Sequence, residues 1–288
     1  MTIVSTTGLA PRATASGPAP SRSASPAGWL AGRIRAVLRT LAPFAVLIAL
    51  WEVSALLLGL SNYLYPRPAL VFRTFGVLFQ KGILPSYVES SMWRWFLGVV
   101  AGVALAIPVG LALSLSRTLY RIFFPMVNFF MAIVELAWIP LFVLWFGYGF
   151  EVIVLSIGYV AFFPVVASTV RGIGQIPKVT IQATRTLGAT RRQMVGHVLV
   201  PGALPSIVAG MRIGAAFGFR SLIGAEMIAA HSGLGFMIFQ SRENQLTQRT
   251  IAGMIMIGIL WLCIDRFYLR PLERGTIRRW GLVTGETG

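Results

Sequence analysis

The sequence predicts an all-α polytopic membrane bundle of about six transmembrane helices, and three observations carry that prediction. The chain is 56% hydrophobic and 12% charged over 288 residues, whereas a soluble domain averages about a quarter charged. Its apolar residues gather into six continuous stretches, each near the ~20 residues that a helix needs to cross a bilayer. Its 25 basic residues, against nine acidic ones, sit mostly between those stretches with a strong bias to one side. The composition argues against an ordinary soluble enzyme, and the apolar fraction is too high for a disordered basic tail. Continuous stretches, rather than short alternating segments, point to helices and away from a membrane barrel.

Residues 1–28 are rich in Ala, Ser, Thr, Pro and Gly and read as a disordered cytoplasmic tail. No apolar core follows a basic start there, so a cleaved signal peptide is not expected. Residues 29–90 hold the first crossing, about Leu41 to Leu60, and an external segment. In that segment Pro66, Pro68 and Pro85 flank a half-apolar run, Val71 to Phe79, which predicts an interfacial helix. Residues 91–270 form the core bundle. Its crossings are expected near Trp93–Leu115, Ile122–Phe146, Val152–Val170, Ile207–Ala230 and Thr250–Tyr268. Residues 271–288 read as a cytoplasmic tail.

Charge orients the bundle. Alternate loops, counting both tails, carry 17 basic residues on one side and five on the other. The basic side faces the cytoplasm, so both termini are expected there and the chain is multi-pass in the plasma (inner) membrane. Bases scattered through short loops give no reason to invoke nucleic acid.

Helix packing has its own spacing. Gly98, Gly102, Ala106 and Gly110 recur every four residues, as do Gly210, Gly214 and Gly218. Small residues at that interval let helix backbones approach closely. Pro108, Pro125, Pro140 and Pro164 fall in or near crossings, where each removes a backbone donor and favours a kink.

One loop stands apart. Residues 171–206 contain no acidic residue. Val179, Ala183 and Leu187 follow a helical period, and Met194, Val195, Val198 and Leu199 form a second apolar cluster. Two short helices joined at Gly188 are expected outside the membrane, ended by Pro201 and Pro205 before the fifth crossing.

Spacing makes this loop specific. Gln182-Ala183-Thr184 is followed after three residues by Gly188, and nine residues later by Val198-Leu199-Val200-Pro201. This resembles the E-A-A, three residues, G, nine residues, I-x-L-P motif of ABC importer permeases, the inner-membrane components of binding-protein-dependent transport systems. Ala137-Trp138-Ile139-Pro140-Leu141 with Leu144-Trp145-Phe146-Gly147 is similar to the third span of the nitrate, sulfonate and taurine branch. Gly224-Ala225-Glu226-Met227 and Ser232-Gly233-Leu234-Gly235 are similar to its fifth span and the segment after it.

The resemblance implies the MetI-like fold of type I importer permeases. It implies a subunit that forms the translocation pathway for a small organic anion and couples to a separate ABC ATPase subunit. It also implies an external or periplasmic substrate-binding protein and a second permease subunit, as a homodimer in the lipid bilayer. Gln182, Ala183, Thr184, Arg185, Gly188, Arg191, Arg192 and Pro201 would then form the ATPase-coupling unit. This sequence departs from the motif at Gln182, where the family has Glu, and at Thr184, where it has Ala. Gln182 offers only neutral hydrogen bonds, so docking would lean on packing and on the neighbouring arginines.

Ionisable groups inside crossings are costly and often functional. Glu52 reads as a structural hydrogen-bonding group. Glu135, Trp138, Arg220, Ser221 and Glu226 are the substrate-pathway candidates. Glu135 and Trp138, three apart, are expected on one helix face. Arg220 and Glu226 are about 120° apart around a helix and are not expected to pair. Arg220 would either meet Glu135 or face an anionic substrate.

No GxxxxGKS or GxxxxGKT run exists in the chain, so an ATP site is not expected in this subunit. No cofactor is expected, and the single Cys263 excludes a cysteine metal cluster within one chain. Two other readings fit the composition. One is an ion-driven secondary transporter or channel, which would more often show internal repeats. The other is a membrane enzyme using Glu135, Glu226 and His231, for which nucleophile–base spacing is missing.

Overall fold

The computed structural model describes residues 26–279, and all of its elements are helical. The tail expected over residues 1–28 lies almost wholly outside the described residues, as does the end of the tail expected over 271–288. The chain divides into two units, residues 1–53 and 54–288. The first contributes most of α1 (Pro26–Leu58), whose apolar part is Ala42–Leu58.

The second unit holds the bundle. Helix α2 (Pro68–Gln80) falls within the segment where an interfacial helix is expected, and it opens with Pro68 in its first turn, where a missing N–H costs nothing. Next, α3 (Ile83–Leu115) begins eight residues before the expected loop ends at Ser91. Pro85 is tolerated there because it sits in the first helical turn.

The third crossing is not one helix. It breaks into α4 (Arg117–Ala132), a 3-10 turn (Glu135–Ala137) and α5 (Ile139–Phe146), with a bend of 86° between the halves. Pro140 stands in the first turn of α5 and so starts a helix rather than kinking one. Glu135 and Trp138 thus stand three apart on a 3-10 turn, closed by Trp138 N–H on the Glu135 carbonyl, and not on one face of a continuous α-helix.

Around the centre, α6 (Phe150–Gly174) is the most buried span. It packs mainly against α3 and α9 (Val200–Ala229). Both small-residue rows face it. A Cβ on Gly98 would lie 2.6 Å from the Ile157 Cβ, and one on Gly110 2.7 Å from that of Thr169. On the other side, a Cβ on Gly214 would sit 2.8 Å from the Ala161 carbonyl, and one on Gly218 3.1 Å from Ile157 Cγ2. The glycine rows thus set the close approach of two helices to one central helix.

The remaining elements are α7 (Lys178–Thr186), α8 (Arg191–Met194), α10 (Leu234–Glu243), α11 (Thr247–Ile264) and α12 (Arg270–Arg279). Four helices of the described residues are long and apolar enough to span a membrane, five with the bent pair, and the shorter apolar Ala42–Leu58 adds to them. This is consistent with a bundle of about six.

Pro201 and Pro205 do not end the loop unit. A widened π turn (Val195–Leu199) joins α8 directly to α9, and both prolines lie in α9. Pro201 has no N–H for the His197 carbonyl, and its ring would crowd a regular turn. The wider turn relieves that crowding, and Val200 N–H bonds to the Val195 carbonyl instead.

Candidate functional site

Three sites follow from this frame. The first is the loop between α6 and α9. Here α7 ends at Thr186, Gly188 takes a left-handed φ of +78°, and α8 begins after Thr190. A capping box fixes that start: Thr190 N–H donates to Gln193 Oε1 at 2.9 Å, and Gln193 N–H to Thr190 Oγ1 at 3.3 Å. Such a cap stabilises a helix start by about 0.5–2 kcal/mol. The unit rests on a small core of Ile173, Met194, Leu199, Ala203 and Ile207, with Ile181 packed against it.

Its outer face is unusual. Val179 is 75% exposed and Leu187 87% exposed, with exposed Ala183 between them at helical spacing. Gln182, Arg185, Gly188, Arg191 and Arg192 are exposed, and Thr184 and Pro201 are half-buried. The Thr184 hydroxyl donates to the Thr180 carbonyl at 2.8 Å, a bond that the family's Ala could not make.

The second site is a small cavity of about 220 Å3 where the third crossing breaks. Glu135 and Arg220 both line it, and so do Phe130, Tyr159, Phe163 and Phe217. The two charges do not form an ion pair within 4.0 Å, so of the two alternatives for Arg220 the contact with Glu135 is not made. Arg220 lies instead 5.4 Å from the centre of the Phe217 ring. Trp138 stands behind the cavity wall, 5.2 Å from Tyr159 and 6.0 Å from Phe130 between ring centres. Its indole N–H and the Ser221 hydroxyl are both buried with no partner among the described residues.

Glu226 belongs elsewhere. It is fully buried and faces no open pathway in this structure. Its carboxylate accepts from Arg94 Nη1 at 2.9 Å, from Gly235 N–H at 3.0 Å and from the Ser91 hydroxyl at 2.9 Å. Arg94 also donates to the Ser232 carbonyl at 2.6 Å and to its hydroxyl at 2.7 Å. Leu234 N–H donates to Ser91 Oγ at 2.9 Å. The Gly224–Met227 and Ser232–Gly235 segments are thus one structural unit. Gly233 has φ +112°, and a Cβ there would run into the Glu226 carboxylate. This cluster ties α3 to the turn between α9 and α10.

A fourth cluster, not expected from sequence, ties α9 to α12. Arg212 Nη2 bonds Asp265 at 2.8 Å and Nη1 bonds Glu273 at 2.6 Å, while Arg270 Nε holds the other Asp265 oxygen at 2.7 Å.

A bundle with glycine-mediated packing, a broken third crossing and one exposed helical loop is a membrane transport subunit in outline. Comparison makes that particular. Residues 98–270 match the model of the binding-protein-dependent transport system inner membrane component family. The chain belongs to that family. It is 35% identical over 245 residues to the taurine transport system permease protein TauC of Escherichia coli (strain K12), covering 83% of this chain and 89% of TauC. It is 31% identical to a candidate aliphatic sulfonates transport permease protein, SsuC, of Bacillus subtilis (strain 168), covering 87% and 88%. An inward-facing form of the MetNI methionine ABC transporter shares the fold. Its TM-score is 0.57 at 22% identity, over 70% of this chain and 97% of that one. The protein is therefore a multi-pass inner-membrane permease subunit of an ABC importer, and the family places ATP hydrolysis in a separate subunit.

Proposed function

We propose that this permease carries a small organic anion of the aliphatic sulfonate or taurine kind, with nitrate as an alternative substrate. Two copies form the pathway, an ABC ATPase docks on the loop of residues 171–206, and a soluble binding protein delivers substrate on the far face. Both termini lie on the ATPase side, in keeping with the charge asymmetry of 17 to five.

The observation that supports ATPase docking best is the exposed stripe Val179–Ala183–Leu187 on an acid-free loop. Apolar side chains this exposed outside a membrane mark a protein contact surface. Arg185, Arg191 and Arg192 surround it with positive charge, so the partner surface is apolar at its centre and acidic at its rim. The substrate class rests on likeness to TauC and SsuC and on the guanidinium of Arg220.

Gly188→Val tests the coupling. A Cβ at Gly188 meets nothing within 4 Å, so any effect is conformational and not steric crowding. A β-branched residue in the left-handed region costs roughly 1–2 kcal/mol or more. That strain refolds the joint between α7 and α8 and turns the stripe away from its partner. In proteoliposomes holding the whole transporter, Gly188→Val is expected to lose most substrate-stimulated ATP hydrolysis at normal membrane abundance, while Gly188→Asn retains it. Normal stimulated hydrolysis in Gly188→Val contradicts the proposal.

A further inference from the structure

Two opposite charges share one small cavity without touching. Glu135 and Arg220 line the same space of about 220 Å3. Neither forms an ion pair with any described residue. Arg220 is exposed and Glu135 half-buried, so both charges are open to a ligand that enters the cavity.

The fold holds them apart. Glu135 is carried on the 3-10 turn at the break of the third crossing, and Arg220 is carried on α9 beside the Phe217 ring. Met131 and Ala132, the last residues of α4, also line the space. A helix C-terminus carries partial negative charge and reinforces the carboxylate pole. Phe130, Tyr159, Phe163 and Phe217 supply aromatic walls. The cavity therefore has one negative pole, one positive pole and faces that favour a cation.

We infer that this cavity reads a small zwitterion, an aminoalkanesulfonate, with its sulfonate on Arg220 and its ammonium on Glu135. The inference rests on the sulfonate reading above and adds the amine as the group recognised. Guanidinium matches sulfonate oxygens through paired donors. The carboxylate and the ring faces match an ammonium. A bound zwitterion bridges two charges that are otherwise unpaired. A simple alkanesulfonate satisfies Arg220 but leaves Glu135 facing an apolar tail, which disfavours it. Glu135 is then a specificity residue, and Arg220 a general anion contact.

The test compares uptake of taurine and ethanesulfonate into proteoliposomes containing permease, ATPase and binding protein, normalised to assembled complex. Loss of a charge-assisted contact lowers the taurine-to-ethanesulfonate uptake ratio of Glu135→Gln about ten-fold or more. Glu135→Asp, which keeps the charge on a shorter stem, is expected to hold a ratio nearer the unmodified protein. Arg220→Gln lowers uptake of both sulfonates. A ratio unchanged or raised in Glu135→Gln overturns the inference, as does an unmodified protein that carries ethanesulfonate and not taurine. An unmodified protein that carries neither overturns the sulfonate reading itself.

Discussion

Arg94→Ala is expected to destabilise the permease by about 3–5 kcal/mol, the usual cost of stranding a buried charge. Among the described residues Arg94 is the sole cationic partner of Glu226, whose side chain has no exposed surface. Removing it also frees the Ser232 carbonyl and hydroxyl, so the turn between α9 and α10 loses its anchor on α3. A thermal unfolding curve in detergent, or membrane abundance at a fixed expression level, reads the loss. The double variant Arg94→Met with Glu226→Gln recovers part of it, because both charges leave together. A Glu226 that served the pathway would behave differently, with altered substrate selectivity and intact stability in Arg94→Ala.

Gly102→Val is expected to be comparably severe through a different cause. A Cβ on Gly102 would lie 3.1 Å from the Gly158 Cα and 3.2 Å from the Ala161 Cβ, with the Gly158 carbonyl nearer still. The obstacle is mostly backbone, so no side chain can swing aside. Overpacking costs about 1–3 kcal/mol where side chains can adjust, and more where they cannot. The expected result is loss of the α3–α6 seam and of assembled protein from the membrane. Gly258→Ala is the matched control, since a Cβ there meets nothing within 4 Å and Ala favours a helix interior. Equal abundance of Gly102→Val and Gly258→Ala would contradict the packing account.

What the sequence made legible follows from what is local. Apolar runs announce crossings, and a four-residue interval announces a packing row, because both depend on neighbours along one helix. The partner of those rows was not legible. Helix α6 meets them with a mixture of Ile157, Gly158, Ala161, Ser168 and Thr169, which has no repeat to notice. The pairing of Arg94 with Glu226 spans 132 residues, and nothing local marks it. Glu226 reads from sequence as a pathway candidate, since its partner on α3 is not visible locally. Proline was misjudged for a local reason. Pro140 and Pro201 carry the same signal whether they kink, end or start a helix; Pro140 sits in a first turn, and Pro201 follows a π turn inside a continuous helical stretch.

The loop was the opposite case. Its periodicity and the Gly188 joint were readable, and so was the apolar triplet Val179, Ala183 and Leu187. Only the structure shows that this triplet points outward while Ile181 packs inward.

Cross-linking tests the central claim, that an ATPase docks on this loop. Cys263 is the chain's single cysteine, so a Cys263→Ser background is free of native thiols. Arg185→Cys places an exposed thiol beside the stripe, and Lys81→Cys places one on the segment between α2 and α3. With a thiol-reactive photo-cross-linker, whose second arm inserts into any nearby residue, in membranes holding the whole transporter, Arg185→Cys is expected to join the permease to the ATPase subunit, and Lys81→Cys is not. An ATPase adduct at Lys81→Cys with none at Arg185→Cys would contradict both the docking surface and the orientation of the bundle.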